Sequence, residues 1–427
     1  MRTFRSARGI YTRSDFVRKV TSAFVLQAIV LALVFANSVV VTRWLGPEQK
    51  GILTLALLLP GMLSLFLSGG IGIANVYYAG LKRLSITQLT SNSVSLTLAA
   101  TGIGAMVLGI AAASGVLHAL FPGVVSGILL LAMFMLPLSV AGGAFAALAQ
   151  GMERTTQVSL VNVAQGAVGL GLTLALVVGL RLGVAGAVLA SIGAAAAGCT
   201  ILGIMLRRAG GALMPRWDPA VLRTTVAFGL RGHLGNVLQF FNYRLDVFIV
   251  SYCLGPVNVG IYSVAVMLAE LLWQFPNSIA FVIFPKASAS TPQEMNAFTP
   301  RVFRATLGIT TAAALVLAVL GKPFIEIVYT SAFSSAYGAL LVLLPGVVLL
   351  GGGKVLTNEI AGRGYAHYNS INSGVALVIT VLLDLLLIPR YGIVGAALAS
   401  SIAYASNLVT ALIFYRRVSR QARRPVA

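Results

Sequence analysis

The sequence predicts an all-α polytopic membrane protein of about twelve transmembrane helices, arranged as two parallel-repeat bundles of six. Apolar residues make up 58% of the 427 residues, charged residues make up 9%, and the mean hydropathy is +0.94. These values lie far outside the range of soluble domains. Residues 20–41 contain no charged side chain and no histidine, and a single span needs roughly 20 such residues. A repeat between the two halves of the chain completes the prediction.

The first span follows a basic N-terminal stretch, residues 1–19. That arrangement resembles the start of a signal peptide, but the apolar run is too long for the apolar region of a signal peptide and more spans follow it. The twelve expected spans are residues 20–41, 52–79, 89–113, 124–149, 156–179, 183–206, 224–251, 259–285, 302–321, 336–358, 367–388 and 392–415.

Two motifs occur twice, 209 positions apart. Leu-Gly-Pro-Glu-Gln-Lys-Gly-Ile at residues 45–52 returns as Leu-Gly-Pro-Val-Asn-Val-Gly-Ile at residues 254–261. Gly-Val-Ala-Gly-Ala-Val-Leu-Ala-Ser at residues 183–191 returns as Gly-Ile-Val-Gly-Ala-Ala-Leu-Ala-Ser at residues 392–400. Because each half has an even number of spans, both halves enter the membrane in the same orientation. Two like halves are typical of transporters, since a site between them can open to either side in turn.

An even number of spans also places both termini on one side of the membrane. The tails and loops of that side contain 22 Lys and Arg residues, whereas those of the opposite side contain 5. This bias predicts that both termini are cytoplasmic. The net charge of +20 is therefore interpreted as a topology signal in contact with anionic membrane lipids, and no nucleic-acid partner is expected.

The predicted organisation has five parts. A basic cytoplasmic tail (residues 1–19) leads into an N-terminal six-helix bundle (20–206). A cytoplasmic linker (207–223) with four helix-breaking Gly and Pro residues joins it to a C-terminal six-helix bundle (224–415). A second basic cytoplasmic tail (416–427) ends the chain.

Glycine and proline also predict local geometry. Each Leu-Gly-Pro is expected to end one helix and make a tight external turn into the next. The two Gly-x-x-Gly starts, at Gly183 and Gly392, are expected to pack closely against a neighbouring helix. Prolines fall inside the second and fourth spans of each half, where they could kink the helices of a gate or merely reflect the frequency of proline in membranes. These residues are Pro60, Pro137, Pro276 and Pro345.

The repeated motifs resemble those of the polysaccharide transporters in the multidrug/oligosaccharidyl-lipid/polysaccharide (MOP) flippase superfamily. Further similar segments are Asn-Tyr-Arg-Leu-Asp-Val-Phe-Ile at residues 242–249, Ala-Gly-Arg-Gly at 361–364 and Ile-Pro-Arg-Tyr-Gly-Ile-Val-Gly-Ala-Ala at 388–397. The resemblance extends from Ser22 to Arg417. It identifies the superfamily and not the substrate, because these motifs are turns and packing faces.

The resemblance implies a V-shaped pair of bundles around a central cavity. It also implies that an undecaprenyl-pyrophosphate-linked oligosaccharide moves from the inner to the outer leaflet for O-antigen, capsule or exopolysaccharide synthesis. The location would be the bacterial cytoplasmic (inner) membrane. Partners would be the lipid-linked oligosaccharide and membrane lipids, with a polysaccharide polymerase and glycosyltransferases as further candidates. A cation-coupled multidrug antiporter of the same superfamily is the nearest alternative, and a membrane-embedded glycan polymerase or ligase is a more distant one.

Charged side chains inside a membrane usually face a cavity or a partner. Arg231 and Arg244 are predicted to bind the pyrophosphate, because Arg offers two parallel donors to phosphate oxygens. Arg244 and Glu270 lie at similar distances from the turn at Gly255, so an ion pair between them is the alternative to phosphate binding. Asp246 and Glu270 are the candidates for charge balance or for coupling to H⁺ or Na⁺.

The remaining predicted substrate-binding residues are Gln239, Asn242, Gln274 and Lys354. Lys354 is also expected to extend toward the membrane interface. Asp384 is expected to be solvated near an external helix end. Other carboxamides, which could bind sugar hydroxyls or link helices, are Gln27, Asn37, Asn75, Gln165 and Asn277.

Enzymatic activity is not predicted. The sequence has no Gly-x-x-x-x-Gly-Lys-Ser/Thr phosphate loop, so it encodes no ATP site of that kind. The three histidines are isolated, and no ligand spacing for a metal or pair of acids for general catalysis is present. No cofactor is expected. The longest external loop, about residues 321–335, is short for a glycan polymerase or ligase.

Overall fold

The computed structural model describes residues 13–421, and their side chains apart from those of residues 13–24, 118, 119, 231, 281 and 421. This part of the chain is mostly helical and contains no strand. The helices are α1 (Arg13–Leu67), α2 (Ile71–Gly80), α3 (Ile86–Ala113), α4 (Val116–Leu120), α5 (Ser126–Ala132), α6 (Met135–Gly151), α7 (Thr155–Thr173), α8 (Gly183–Arg208), α9 (Pro219–Leu271), α10 (Gln274–Ala289), α11 (Pro292–Val328), α12 (Ala336–Gly362) and α13 (His367–Gln421). A π-helical turn, Leu174–Gly179, extends α7.

Three of the helices are hairpins of two spans. Non-helical backbone interrupts α1 at Gly46 (φ 71°), α9 at Gly255 (φ 78°) and α13 at Gly392 (φ 61°). Positive φ is open to glycine and strained for other residues. Among the described residues, nine apolar helices are long enough to cross a membrane, and those at these hairpins contain 43, 40 and 54 residues. Such lengths suffice for two crossings of a core about 30 Å thick. The prediction of an all-α protein with about twelve spans is confirmed.

The two Leu-Gly-Pro turns lie side by side. A Cβ built on Gly51 would be 1.8 Å from the Pro256 carbonyl oxygen, and one built on Gly260 would be 1.9 Å from the Pro47 carbonyl oxygen. The contact is therefore reciprocal between the repeats. We call this end of the helices the turn end, and the end at which α1 begins and α13 finishes the terminal end.

The second pair of repeated motifs also lies at the turn end. A Cβ on Gly183 would be 3.2 Å from Gln49, and one on Gly392 would be 3.9 Å from Leu254. The following glycines of the two motifs press against backbone: a Cβ on Gly186 would be 3.0 Å from the Leu176 oxygen. Close helix packing, predicted for the Gly-x-x-Gly starts, accounts for these glycines.

The two halves also touch nearer the terminal end. Asn92 Nδ2 donates to Thr225 Oγ1 at 3.0 Å, joining α3 to the first arm of α9. His233 Nε2 donates to the Leu65 carbonyl at 2.7 Å. A Cβ on Gly229 would be 2.6 Å from the Gly70 oxygen. Helix α9 thus packs against the N-terminal half along most of its first arm.

The four prolines do not occupy matching positions in the helices of the two halves. Pro60 and Pro345 lie inside α1 and α12, which continue past them. Pro137 and Pro276 are each the third residue of a helix, α6 and α10, that begins after a break. A proline in the first turn lacks only an N–H that has no helical partner there. A helix break thus precedes Pro137 and Pro276 but not Pro60 and Pro345, and a role of the four prolines in a gate stays a prediction.

Two connections differ from expectation in length. Between α8 and α9 the non-helical segment is residues 209–218, and Asp218 caps α9 by accepting from the Ala220 and Val221 amides. Helix α11 extends to Val328, so the loop expected at residues 321–335 is confined to residues 329–335. A capping box of Thr291 and Glu294 also starts α11 earlier, at Pro292, than the span expected from residue 302.

Candidate functional site

Arg244 and Glu270 form an ion pair across the α9 hairpin. Arg244 Nη1 lies 2.8 Å from Glu270 Oε1, and Nη2 lies 3.4 Å from Oε2. The two side chains keep 34% and 26% of their surface exposed. The sequence-based expectation that the two residues lie at similar depth is met because the turn at Gly255 folds one arm of α9 onto the other. The pair leaves both groups reachable, so it is compatible with a structural role and with contact to a substrate.

Arg231, the other predicted phosphate ligand, lies in the first arm of α9. Its side chain is outside those that the structure describes. Its role toward a phosphate therefore stays a prediction from the sequence.

A polar cavity of about 630 Å³ lies inside the C-terminal half, enclosed by α9, α10, α12 and α13. Seven carboxamide side chains line it, and no Asp or Glu is among its lining residues. The carboxamides are Asn236, Gln239, Asn277, Asn358, Asn369, Asn372 and Asn407. Hydroxyl groups of Thr357, Ser370 and Ser373 extend the polar wall. Such a lining offers donors and acceptors together, which suits a ligand rich in hydroxyl groups.

Several polar atoms on this lining lack a protein partner. Gln239 Oε1 accepts from Ser373 Oγ at 3.1 Å, but Gln239 Nε2 is buried with no hydrogen bond to the described residues. The same is true of the Oδ1 atoms of Asn369 and Asn372. Buried polar groups are normally hydrogen-bonded. These three residues therefore line the cavity with hydrogen-bonding capacity that the described protein groups do not use.

Lys354 points into this cavity, so the expectation that it extends toward the membrane interface is wrong. Its Nζ donates to Asn277 Oδ1 at 2.8 Å. Nζ also lies 4.3 Å from the ring centroid of Trp273 and 5.8 Å from that of Tyr243. The cation–π contacts and the hydrogen bond hold the ammonium group within the C-terminal half instead.

Two other predicted substrate ligands do not line the cavity. Asn242 is buried, and its Oδ1 accepts from Thr380 Oγ1 at 2.8 Å, which links α9 to α13. Gln274 is half-buried at the first residue of α10. Four residues other than the arginines are predicted to bind substrate. Two of them, Gln239 and Lys354, line the C-terminal cavity.

Asp246, one turn after Asn242 on α9, is buried. Its Oδ2 accepts from Tyr262 OH at 2.6 Å and from Ser400 Oγ at 3.3 Å, and its Oδ1 accepts from the Val247 amide at 2.8 Å. No salt bridge to Asp246 occurs within the described part of the chain. Asp246 therefore differs from Glu270, whose charge Arg244 already balances.

Asp384 is fully buried, which corrects the expectation that it is solvated. Neither of its carboxylate oxygens has a hydrogen-bond partner among the described residues. The first arms of α9 and α13 run in the same direction, and the Asn242–Thr380 bond fixes their register. Because Asp246 and Asp384 each come four residues after that bonded pair, one turn further along their helices, they lie at the same level. Two buried carboxylates thus lie at one level on the neighbouring helices α9 and α13.

A smaller cavity of about 440 Å³ lies inside the N-terminal half, between α1, α6, α7 and α8. Asn37, Asn162, Gln165, Thr173 and Ser191 supply its polar groups. Asn75, also considered for sugar binding, instead donates to Ser93 and to the Ala144 carbonyl inside this half. The two cavities make the halves similar in plan, but Lys354 gives the C-terminal cavity a charge.

Sequence reasoning missed most of the carboxamides that line the larger cavity. A signal existed on α13, where Asn369 with Asn372 and Ser370 with Ser373 follow the three-residue spacing of one helix face. The direction in which that face points depends on packing between distant helices. Elsewhere in residues 13–421, no three His, Cys, Asp or Glu side chains gather as metal ligands would.

Known proteins resemble this chain in sequence and in fold. A probable low-salt glycan biosynthesis flippase of Haloferax volcanii, Agl15, is 23% identical over 180 residues, which cover 41% of this chain and 38% of the relative. The chain spans about two fifths of the length of the curated relatives it matches.

Two solved structures show the same fold. The lipid II flippase MurJ, in an inward closed conformation, matches with a TM-score of 0.75 at 14% identity over 94% of this chain and 90% of that chain. An inward-facing multidrug resistance transporter of the MATE family, in the MOP superfamily, matches with a TM-score of 0.75 at 14% identity over 95% and 100%.

Residues 40–337, more than half of the chain, match the polysaccharide biosynthesis protein family. The chain therefore belongs to the polysaccharide biosynthesis protein family, within the MOP flippase superfamily.

Proposed function

We propose that this protein flips an undecaprenyl-pyrophosphate-linked oligosaccharide across the bacterial cytoplasmic membrane by alternating access. The family and the two-half fold support a transporter, and the carboxamide-rich cavity of the C-terminal half supports a glycan as its substrate. Seven carboxamides, four residues with hydroxyl groups, His367 and Lys354 line that cavity without a carboxylate. Sugar hydroxyls need paired donors and acceptors, which such a surface supplies.

The same observation weighs against the multidrug antiporter. A cationic compound would meet the Lys354 ammonium and no balancing carboxylate on this lining, and like charges at close range repel. The fold does not separate the two functions, because MurJ and the MATE transporter match with the same TM-score. The chemistry of the cavity is therefore the argument for the glycan.

Movement of the substrate would be driven by a cation gradient. Asp246 and Asp384, buried at one level on the neighbouring helices α9 and α13, are the groups that we assign to coupling with H⁺ or Na⁺. Two carboxylates in a low-dielectric environment cannot both stay charged without a proton or a cation. Arg244 would contribute to binding of the pyrophosphate, with Arg231 further along the same helix.

The experiment that tests the function is deletion of the gene in its host. We expect depletion of a surface polysaccharide and accumulation of its lipid-linked repeat unit in the inner leaflet, with unchanged susceptibility to ethidium. A plasmid copy of the natural gene should restore the polysaccharide, and so should a Lys322→Gln copy, whose exposed lysine lies on α11, a helix that does not line the cavity. Unaltered glycans together with new susceptibility to cationic compounds would favour the antiporter instead.

A further inference from the structure

Three side chains of the cavity in the C-terminal half each have a polar atom that no described residue pairs with. Gln239 Nε2, Asn369 Oδ1 and Asn372 Oδ1 are buried without a partner among the described residues. The three side chains line one space of about 630 Å³, a volume within the usual range of small-molecule sites, about 300–1,000 Å³. Carboxamides both donate and accept, so they can pair with the hydroxyl groups of a sugar ring.

The residues that the structure places on this lining include one lysine and one histidine, His367, and no other basic residue. Lys354 is the one Lys or Arg among the residues that line the cavity as described. One hydrogen bond joins its ammonium to Asn277, which leaves two of its three N–H donors free. Trp273 and Tyr243 hold the ammonium from one side. The free donors can therefore reach one anionic group of a ligand.

The number of charges indicates which anion fits. A pyrophosphate carries at least two negative charges, and Lys354 alone cannot balance them. Arg244 lies in the next position to Tyr243, but it is not among the residues that line this cavity. A sugar carboxylate carries one charge, which equals that of Lys354.

We propose that the C-terminal cavity binds one sugar unit of the transported oligosaccharide and selects a unit that carries a carboxylate. Lys354 binds the carboxylate, while Gln239, Asn369 and Asn372 bind ring hydroxyls. The site would sort acidic repeat units from neutral ones before translocation. The proposal rests on the proposed function, since it names the class of glycan that the same transporter takes.

The test is a binding measurement on the purified full-length protein in detergent. The probes are methyl α-D-galacturonide and methyl α-D-galactoside, which differ only in a carboxylate at C6, together with galactose 1-phosphate. Trp273 reports binding by fluorescence after Trp44→Phe and Trp217→Phe, because these two tryptophans are exposed and Trp273 lies beside the Lys354 ammonium. Lys322→Gln serves as the matched loss of an exposed lysine.

We expect the galacturonide to bind about tenfold to a hundredfold more tightly than the galactoside, the range of a charge-assisted hydrogen bond. Lys354→Gln should abolish this preference and keep the affinity for the galactoside, whereas Lys354→Arg should keep part of it. Gln239→Ala should weaken both sugars severalfold and equally. Lys322→Gln should change neither, and thermal unfolding should show each variant to be folded.

Equal affinity for the two glycosides, or a preference that survives Lys354→Gln, would overturn the proposal. Tighter binding of galactose 1-phosphate would also overturn it and assign Lys354 to the phosphate of the carrier. If no sugar binds to a protein that restores glycan export in cells, the site is wrong and the proposed function stands. If the galacturonide binds but gene deletion leaves all glycans unchanged, the proposed function alone fails.

Discussion

Gly51 and Gly260 pack backbone against backbone where the two halves of the chain cross. Each is the seventh position of its Leu-Gly-Pro motif, and each faces the carbonyl of the proline that the other motif supplies. The first Gly of each motif makes the turn, and the later one allows the halves to approach. The repeat in the sequence is thus explained by a local symmetric contact, which joins the halves at the turn end.

Alanine at Gly51 should lower stability. Its Cβ would lie 1.8 Å from the Pro256 oxygen, so the backbone must move, and overpacking of this kind costs typically 1–3 kcal/mol. The matched control is Gly61→Ala in the same helix, where a Cβ would meet nothing within 4 Å. Thermal unfolding in detergent should show a lower midpoint for Gly51→Ala and for Gly260→Ala. The midpoint of Gly61→Ala should equal that of the unsubstituted protein. Equal midpoints for Gly51→Ala and Gly61→Ala would contradict the contact.

Substitutions of Arg244 and Glu270 should show whether the pair stabilises the fold or binds the substrate. We expect Arg244→Gln to give a folded protein that no longer exports glycan, because the phosphate loses its bidentate donor. Glu270→Gln, which frees the guanidinium, should still support export. Arg244→Lys should recover activity only in part, since an ammonium lacks the planar fork.

The double variant Arg244→Gln, Glu270→Gln decides between the two roles. If the arginine mainly neutralises Glu270, this variant should regain the stability that Arg244→Gln loses and should regain export with it. Under our expectation it regains stability and stays inactive. Partial exposure of both side chains keeps the stability change closer to that of exposed pairs, about 1 kcal/mol or less. Normal export by a folded Arg231→Gln, Arg244→Gln variant would refute phosphate binding by these arginines.

Neutralising the buried carboxylates should uncouple transport from the cation gradient. In vesicles with an imposed H⁺ or Na⁺ gradient, we expect Asp246→Asn and Asp384→Asn to lose the gradient-driven part of flipping. Tyr262→Phe removes the 2.6 Å hydrogen bond to Asp246 and should shift the cation concentration needed for half-maximal transport without abolishing it. Glu48→Gln is the control, because Glu48 is exposed. Gradient-driven transport by the doubly substituted Asp246→Asn, Asp384→Asn protein would exclude these residues as the coupling site.

Features set by neighbours in sequence could be predicted, and features set by distant packing could not. The turns at Gly46 and Gly255 follow from glycine and proline side by side, and the depth of Arg244 and Glu270 follows from counting residues to such a turn. Burial of Asp384 depends on α9, which begins 165 residues before it and whose register the Asn242–Thr380 bond fixes. Likewise, only the packing of α10 and α12 together turns Lys354 from the membrane interface into a cavity.

The contact between α3 and α9 near the terminal end should open during transport. Thr225 is fully buried there and accepts from Asn92 across the two halves. If alternating access separates the halves at this end, a thiol at this position should become reachable from water. Thr225→Cys, in a protein with Cys199→Ser and Cys253→Ser, should react with a charged maleimide, and added substrate should change the rate of reaction.

Ser93→Cys is the control, because Ser93 is equally buried but contacts Asn75 inside the N-terminal half, and it should stay unreactive. Equal protection of the two thiols in a variant that exports glycan would mean that the halves do not part at this contact.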